Sequence, residues 1–311
     1  MMRRRVIGAA ISRRQALAGL ASLSATLLLQ RPSYGKGQTI QRIVSVGGAI
    51  TEIVFALGVG NKVVAVDTTS CYPLQATAAL PKVGYLRTLA TEGLLSTKPD
   101  LILLDADAGP ADVLEQLQRL GAPLVHFTER PSATLIGDKI LFVGKALKVA
   151  DKAAEIAGVF RQDLTAVTAQ VEKLPQRPRV LFLMNAGATG LRGAGGGTAA
   201  AEMISLAGGH NAFGEVTGYK TISSEAALIA DPEVIVMMSQ MVDELGGVDA
   251  VGKLPVLAKT KAARDRRILS FDGNYLLGFG PRTAHAVADF AAALHLQAQL
   301  VMPPPRPWTT A

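Results

Sequence analysis

The chain has 311 residues, 49% apolar and 18% charged, long enough to bury an ample core and to divide into two domains. Its formal charge of +7 invites a nucleic-acid reading, but six arginines within residues 1–35 carry most of it. Without them 26 Lys and Arg (32 less 6) face 25 Asp and Glu, so nucleic-acid binding has no support, and the single Cys71 excludes an internal disulfide.

Residues 1–35 contain no lysine and no acid, and an apolar run of 14 residues, 16–29, follows Arg13-Arg14. Pro32 and the small residues Ser33 and Gly35 close the run. A basic start, an apolar middle and a small-residue end predict a cleaved export signal, with cleavage near Gly35. The apolar run is too short to span a bilayer comfortably. Ser12-Arg13-Arg14-Gln15-Ala16-Leu17 resembles a twin-arginine signal, with Ala16 where a bulkier apolar residue is more usual. No cysteine lies near the cleavage point, which argues against a lipid anchor.

Arg42-Ile43-Val44-Ser45-Val46 predicts a first strand, and Ile50, Ile53, Val54 and Leu57 predict a helix stopped by Gly58. Residues 62–66 predict a second strand. Next comes Pro81-Lys82-Val83-Gly84-Tyr85-Leu86-Arg87, bracketed by proline and glycine and therefore an irregular loop. In an extended loop Tyr85 and Arg87, two residues apart, face one space. A deprotonated tyrosine is an axial ligand of haem iron in some proteins, a nearby cation favours the phenolate, and an arginine stays charged when partly buried. A surface turn with a packed Tyr and a solvated Arg explains the same residues without any ligand.

Residues 99–104 form an unbroken apolar run suited to a buried parallel strand. Residues 113–120 predict an amphipathic helix closed by Gly121, and residues 124–127 a fourth strand. Strands alternating with helices imply a parallel α/β sheet. Residues 139–172 are free of proline and read as one helix about 50 Å long at 1.5 Å per residue, with Gly144 and Gly158 as places where it could divide into two.

The rest repeats the first half. Arg179-Val180-Leu181-Phe182-Leu183 matches the first strand, and residues 201–208 match residues 51–58. Thr91-Glu92-Gly93-Leu94-Leu95-Ser96-Thr97-Lys98-Pro99-Asp100-Leu101-Ile102 matches Ser224-Glu225-Ala226-Ala227-Leu228-Ile229-Ala230-Asp231-Pro232-Glu233-Val234-Ile235, at an offset of 133 residues. A duplicated α/β lobe explains the match better than a common helix–loop–strand unit. The expected organisation is an export signal over 1–35, an N-terminal lobe over 38–130, a linker helix over 131–175, a C-terminal lobe over 176–300 and a Pro-rich tail over 301–311. The fold class is α/β, two similar lobes with mainly parallel sheets joined by a single long helix.

Two such lobes behind an export signal resemble the substrate-binding proteins of bacterial metal-chelate uptake transporters, which serve siderophores, cobalamin and haem. Arg42-Ile43-Val44-Ser45, Thr51-Glu52-Ile53, Leu57-Gly58 and Lys98-Pro99-Asp100-Leu101-Ile102 carry that resemblance over the mature chain. Leu80-Pro81-Lys82-Val83-Gly84-Tyr85-Leu86-Arg87, Gly218-Tyr219-Lys220 and Leu276-Leu277-Gly278-Phe279-Gly280-Pro281-Arg282 are similar to the haem-binding periplasmic branch. The resemblance implies a periplasmic protein that captures haem b between its lobes and delivers it to an inner-membrane ABC permease. Tyr85 would then be the axial iron ligand, with Arg87 beside it or on a propionate. Glu92 and Glu225 would dock on the two permease subunits, the protein's membrane contact being through the permease alone. The protein would act as a monomer. The alternative cargo within the same fold is a ferric siderophore or a cobalamin.

Asn185 stands where some relatives carry a histidine facing the cleft. Asparagine is a poor ligand for ferric haem iron, so a single haem with five-coordinate or water-completed iron is expected. Arg192, Tyr219, Lys220, Tyr275 and Arg282 are further candidates for the cleft, Arg192 and Tyr275 foremost for haem contact; solvated surface or turn roles explain them equally. The Gly-rich stretch 193–197 lacks the Gly-Lys-Ser/Thr ending of a phosphate loop. His126, His210, His285 and His295 do not cluster in sequence, and no nucleophile–base pair or carboxylate dyad supports an enzyme.

Overall fold

The computed structural model describes residues 39–186 and 190–310. The export signal expected over 1–35 lies outside the described residues. Among those that are described, no helix is long and apolar enough to cross a membrane.

Strand β1 (Ile43–Val46) is fully buried and lies at the centre of the first sheet, between β2 (Val63–Val66) and β3 (Leu101–Leu104). β4 (Leu124–His126) adds to β3, and every pairing in this four-stranded sheet is parallel. Helix α1 (Gly48–Ala56) leaves the end of β1 and stops at Gly58, whose φ is +76°. Helix α2 (Thr91–Ser96) precedes β3, and α3 (Ala111–Arg119) follows it and ends at Gly121 with φ +68°. These bounds follow the apolar spacing of the sequence: β1 and β3 are buried throughout, and α3 buries only Leu117.

The linker departs from the single helix expected over residues 139–172. Helix α4 (Ile136–Ala146) ends, and α5 (Ala150–Val171) begins afresh and runs 22 residues, about 33 Å. The break is neither at Gly144 nor at Gly158. It is at Lys148, which holds φ +60° while its N–H donates to the Lys145 carbonyl and that of Val149 to Gly144. This is a Schellman stop with lysine in the left-handed position that glycine usually takes. Gly144 serves packing instead, since a Cβ there would fall 2.1 Å from the Cβ of Ala153 on α5.

The second sheet starts with β5 (Arg179–Asn185), followed by β6 (Leu191–Ala194), α6 (Ala199–Leu206), β7 (His210–Asn211), β8 (Tyr219–Ile222), α7 (Ser224–Ala230), β9 (Val234–Met238) and β10 (Ile268–Phe271). Helices α8 (Gly273–Leu277) and α9 (Thr283–Leu294) follow β10. Parallel pairings link β7, β5, β9 and β10 in the order that β2, β1, β3 and β4 take in the first sheet. The duplication read from the sequence is therefore a duplication of topology. The added part is the antiparallel pair β6 and β8, which extends the sheet beside the upper half of β5.

One apolar cluster crosses the molecule, running from Ile53 on α1 through Val143 and Phe160 of the linker to Val287 on α9. The tail does not hang free. Arg306 clasps Asp163 on α5 through two hydrogen bonds of 2.9 and 2.7 Å, Gln170 exchanges bonds with the backbone of Val301, and Trp308 packs on the same cluster.

Candidate functional site

The carboxyl ends of β1, β2 and β3 open on one space, as ligand sites do in parallel sheets. Gly47 follows β1 with φ +103°, and a Cβ there would lie 2.5 Å from that of Asp105, so only glycine fits. Asp67 follows β2 and is fully buried. Its carboxylate accepts from Gly47 N (2.8 Å), Thr69 N (2.9 Å), Thr69 Oγ1 (2.6 Å) and Ser70 Oγ (2.6 Å). Four donors are what make a buried carboxylate tolerable. Asp105 follows β3 and pairs with the buried Lys139 of α4 at 2.9 and 3.2 Å, tying the linker to the strand ends.

The Tyr85 loop is laid against this frame. Val66 N donates to Pro81 O, Val83 N to Val66 O and Thr68 N to Gly84 O, at 2.9–3.0 Å. Val83, Leu86 and Leu89 are buried beneath it. Burying Leu86 turns its neighbours outward, so Tyr85 is 40% exposed and Arg87 stands beside it. Arg87 Nη1 donates to Tyr85 Oη at 2.6 Å, and Nη2 pairs with the Asp107 carboxylate. Burial works against the Arg87 charge, but the Tyr85 hydroxyl and Asp107 outweigh it and hold its pKa above the ordinary guanidinium value. The shared space anticipated from the i, i+2 spacing is present. Asp107, which completes the group, carries no sequence signal, because it meets Arg87 only through the fold.

The antiparallel β6–β8 pair belongs to the second lobe. Arg192 is exposed on β6, and Tyr219 is half-buried on β8 with Lys220 exposed beside it. Burial pushes the Tyr219 phenol up, against its hydrogen bonds to the Ala200 backbone and Thr198 and against the charges of Arg87 and Arg192. The charge of Arg87, from the first lobe, reaches Tyr219. At the end of β5, Asn185 lies in register with Arg192, and its Oδ1 is buried with no hydrogen-bond partner among the described residues. The floor is formed by Gly47, Glu52, Asp105, Asn274 and Gly278 and is open to solvent.

Tyr275 sits beside this floor on α8. Its phenol donates to Asp289 Oδ2 at 2.6 Å, and burial first, then Asp289, hold its pKa far above the ordinary value. Its neighbours Asn274, Leu277 and Gly278 line the cleft. Arg282 is committed to the first lobe. It grips Glu52 on α1 with bonds of 3.0 and 2.6 Å, and its guanidinium lies 3.7 Å from the Tyr72 ring centroid. Burial pushes the Glu52 carboxyl above its ordinary value, against the pull of Arg282. Glu202, the repeat partner of Glu52, also crosses between chain halves, accepting from Ser132 Oγ (2.9 Å) and Ala133 N (2.7 Å). The match of residues 51–58 with 201–208 was the sequence signal for this pair.

Glu92 and Glu225 are exposed in the first turns of the equivalent helices α2 and α7. His126, His285 and His295 each meet a backbone carbonyl in separate places. No group of three or more His, Cys, Asp or Glu among the described residues could hold a metal ion. Tyr85 thus presents a partly exposed phenol next to the Arg87 guanidinium, and Arg192 and Lys220 are exposed cations on β6 and β8.

A family model described as periplasmic binding protein matches residues 43–275. The chain is similar to the apo form of the periplasmic heme-binding protein RhuT from Roseiflexus sp. RS-1, with 39% identity and a TM-score of 0.80 over 84% of this chain and 100% of that one. It is similar to the periplasmic heme-binding protein BhuT in complex with two hemes, with 39% identity and a TM-score of 0.76 over 81% and 98% of the two chains. It is also 26% identical over 256 residues to the vitamin B12-binding protein of Vibrio parahaemolyticus, covering 81% of this chain and 88% of that protein. A match that spans both lobes and the linker places this chain within the periplasmic binding protein family.

Proposed function

We propose that the protein captures haem b in the cleft between its lobes and delivers it to an inner-membrane ABC permease. The observation that carries this reading is the Tyr85 phenol, 40% exposed and hydrogen-bonded by Arg87, whose charge also reaches Tyr219 of the second lobe. Tyr85 is the axial iron ligand. Arg87 favours the phenolate, and Arg192 and Tyr275 contact the macrocycle or its propionates. Burial of the apolar macrocycle supplies most of the affinity, at roughly 25 cal/mol per Å² of apolar area. The protein is a carrier and performs no catalysis; it works in the periplasm as a monomer after the loss of residues 1–35. Glu92 and Glu225, one on each lobe, orient it on a permease dimer.

A cobalamin is the second reading, favoured by the likeness to a vitamin B12-binding protein. Haem fits better because its iron needs an axial ligand from the protein, and an exposed phenol paired with a cation is suited to supply one. The test is titration of the purified mature protein with hemin and, separately, with cyanocobalamin, followed by absorption. Haem binding yields a saturating Soret band with a phenolate-to-iron charge-transfer band. A chain that binds only cyanocobalamin, or neither, overturns the reading.

A further inference from the structure

We infer that Asp107 is a positioning residue for the iron ligand, holding the Arg87 guanidinium on Tyr85 and setting how strongly the phenolate donates to iron. This rests on Tyr85 being the ligand. Three side chains stand in series: Asp107 Oδ2 meets Arg87 Nη2, and Arg87 Nη1 donates to Tyr85 Oη at 2.6 Å. A guanidinium carries its donors in a fixed plane, so anchoring one nitrogen aims the other. The anchor is itself held in place. The turn bearing Asp107 is pinned by Asp105, which binds Lys139 through both oxygens and accepts from Ala106 N at 2.9 Å. Gly109 then joins that turn to the Tyr85 loop, donating to Leu86 O at 2.8 Å and accepting from Leu89 N at 2.9 Å. The backbone segments that carry the carboxylate and the guanidinium are thereby tied to each other.

The charge balance gives Asp107 its effect. A lone cation on the phenolate oxygen withdraws electron density and makes it a poorer donor to ferric iron. The carboxylate offsets that cation, so the phenolate keeps more of its donor strength. Outer-sphere partners commonly tune a metal ligand in this way. The Asp107 side chain is 46% exposed, so removing its charge leaves the core untouched.

The experiment compares hemin-loaded wild type with Asp107→Asn, Arg87→Ala, the double variant and Tyr85→Phe. Asparagine keeps the shape of the side chain and loses only its charge. The expected result is a charge-transfer band at shorter wavelength and a more positive ferric/ferrous midpoint in Asp107→Asn, with hemin still bound. In the Arg87→Ala background the Asp107 substitution moves neither reading, because its effect runs through the guanidinium. An unchanged band and midpoint in Asp107→Asn overturn the inference, and so does an equal shift without Arg87. A band that survives in Tyr85→Phe overturns the ligand assignment itself, a separate outcome from either.

Discussion

Glu52 and Arg282 lie 230 positions apart in sequence and are joined by two hydrogen bonds, with their side chains 7% and 12% exposed. They tie helix α1 of the first lobe to the segment between α8 and α9 of the second. Truncating one member of a buried pair leaves the other charge uncompensated, at a cost of about 3–5 kcal/mol. Glu52→Ala should lower the unfolding free energy in urea by that amount, with an unchanged slope. A loss below about 1 kcal/mol, the worth of an exposed pair, would mean that Arg282 finds solvent in the variant.

The lobes should shift little when the cleft fills. Glu52 and Glu202 each make a tie, one apolar cluster runs through both lobes and the linker, and the tail clasps α5. Small-angle scattering with and without hemin should yield nearly the same radius of gyration. A marked compaction on loading would make the Lys148 break a hinge.

Tyr85→Ala should weaken hemin binding strongly and abolish the charge-transfer band. Arg87→Ala should retain the band in shifted form and weaken binding by about 10–100-fold, the usual cost of losing an outer-sphere partner. A wild-type spectrum from the Tyr85 variant would move the search for the ligand to Tyr219 of the second lobe.

Glu92 and Glu225 each gain from the helix dipole at a first turn, and that alone accounts for a carboxylate there. Their equivalent, exposed places on two pseudo-symmetric lobes also suit a two-fold partner, for which rim charges set orientation and rate. The double variant Glu92→Arg, Glu225→Arg should bind hemin as wild type does and fail to support permease-dependent haem uptake in cells. Full uptake would reduce both residues to helix-end charges.

His295 is buried against the Ala207 carbonyl at 3.2 Å. Burial lowers its pKa from the ordinary value of 6.5, and the charges of Arg177 and Arg267 add to this against the carbonyls of Ala207 and Gly208. A depressed folded-state pKa means that the unfolded chain binds the proton first. The stability His295 contributes is therefore complete above about pH 6.5 and is lost as the pH falls through the folded value. His295→Gln should flatten the fall in melting temperature below pH 6.5. An unchanged slope would assign that fall to other groups.

The alternation of buried runs with amphipathic helices, and the repeat at an offset of 133 residues, were enough to read two α/β lobes, because strand burial and helix amphipathicity are written locally. The Tyr85 loop was legible for the same reason. A Pro and a Gly made it irregular, and an i, i+2 spacing put a phenol and a guanidinium on one side. The position of the linker break was not legible, since Lys148 takes a left-handed conformation without a glycine to announce it, and Gly144 is spent on helix packing.

By itself, then, the sequence determined the class of fold, its duplication and the pairing of Tyr85 with Arg87, each of which is read from patterns within short local segments. Tertiary structure alone decided that Asp107 holds Arg87, that the Arg87 charge reaches Tyr219 of the second lobe, and that Arg282 is spent on Glu52. The separations involved run from 20 residues between Arg87 and Asp107 to 230 between Glu52 and Arg282. No local pattern encodes such contacts, because the backbone brings these residues together only after both sheets and the linker have packed.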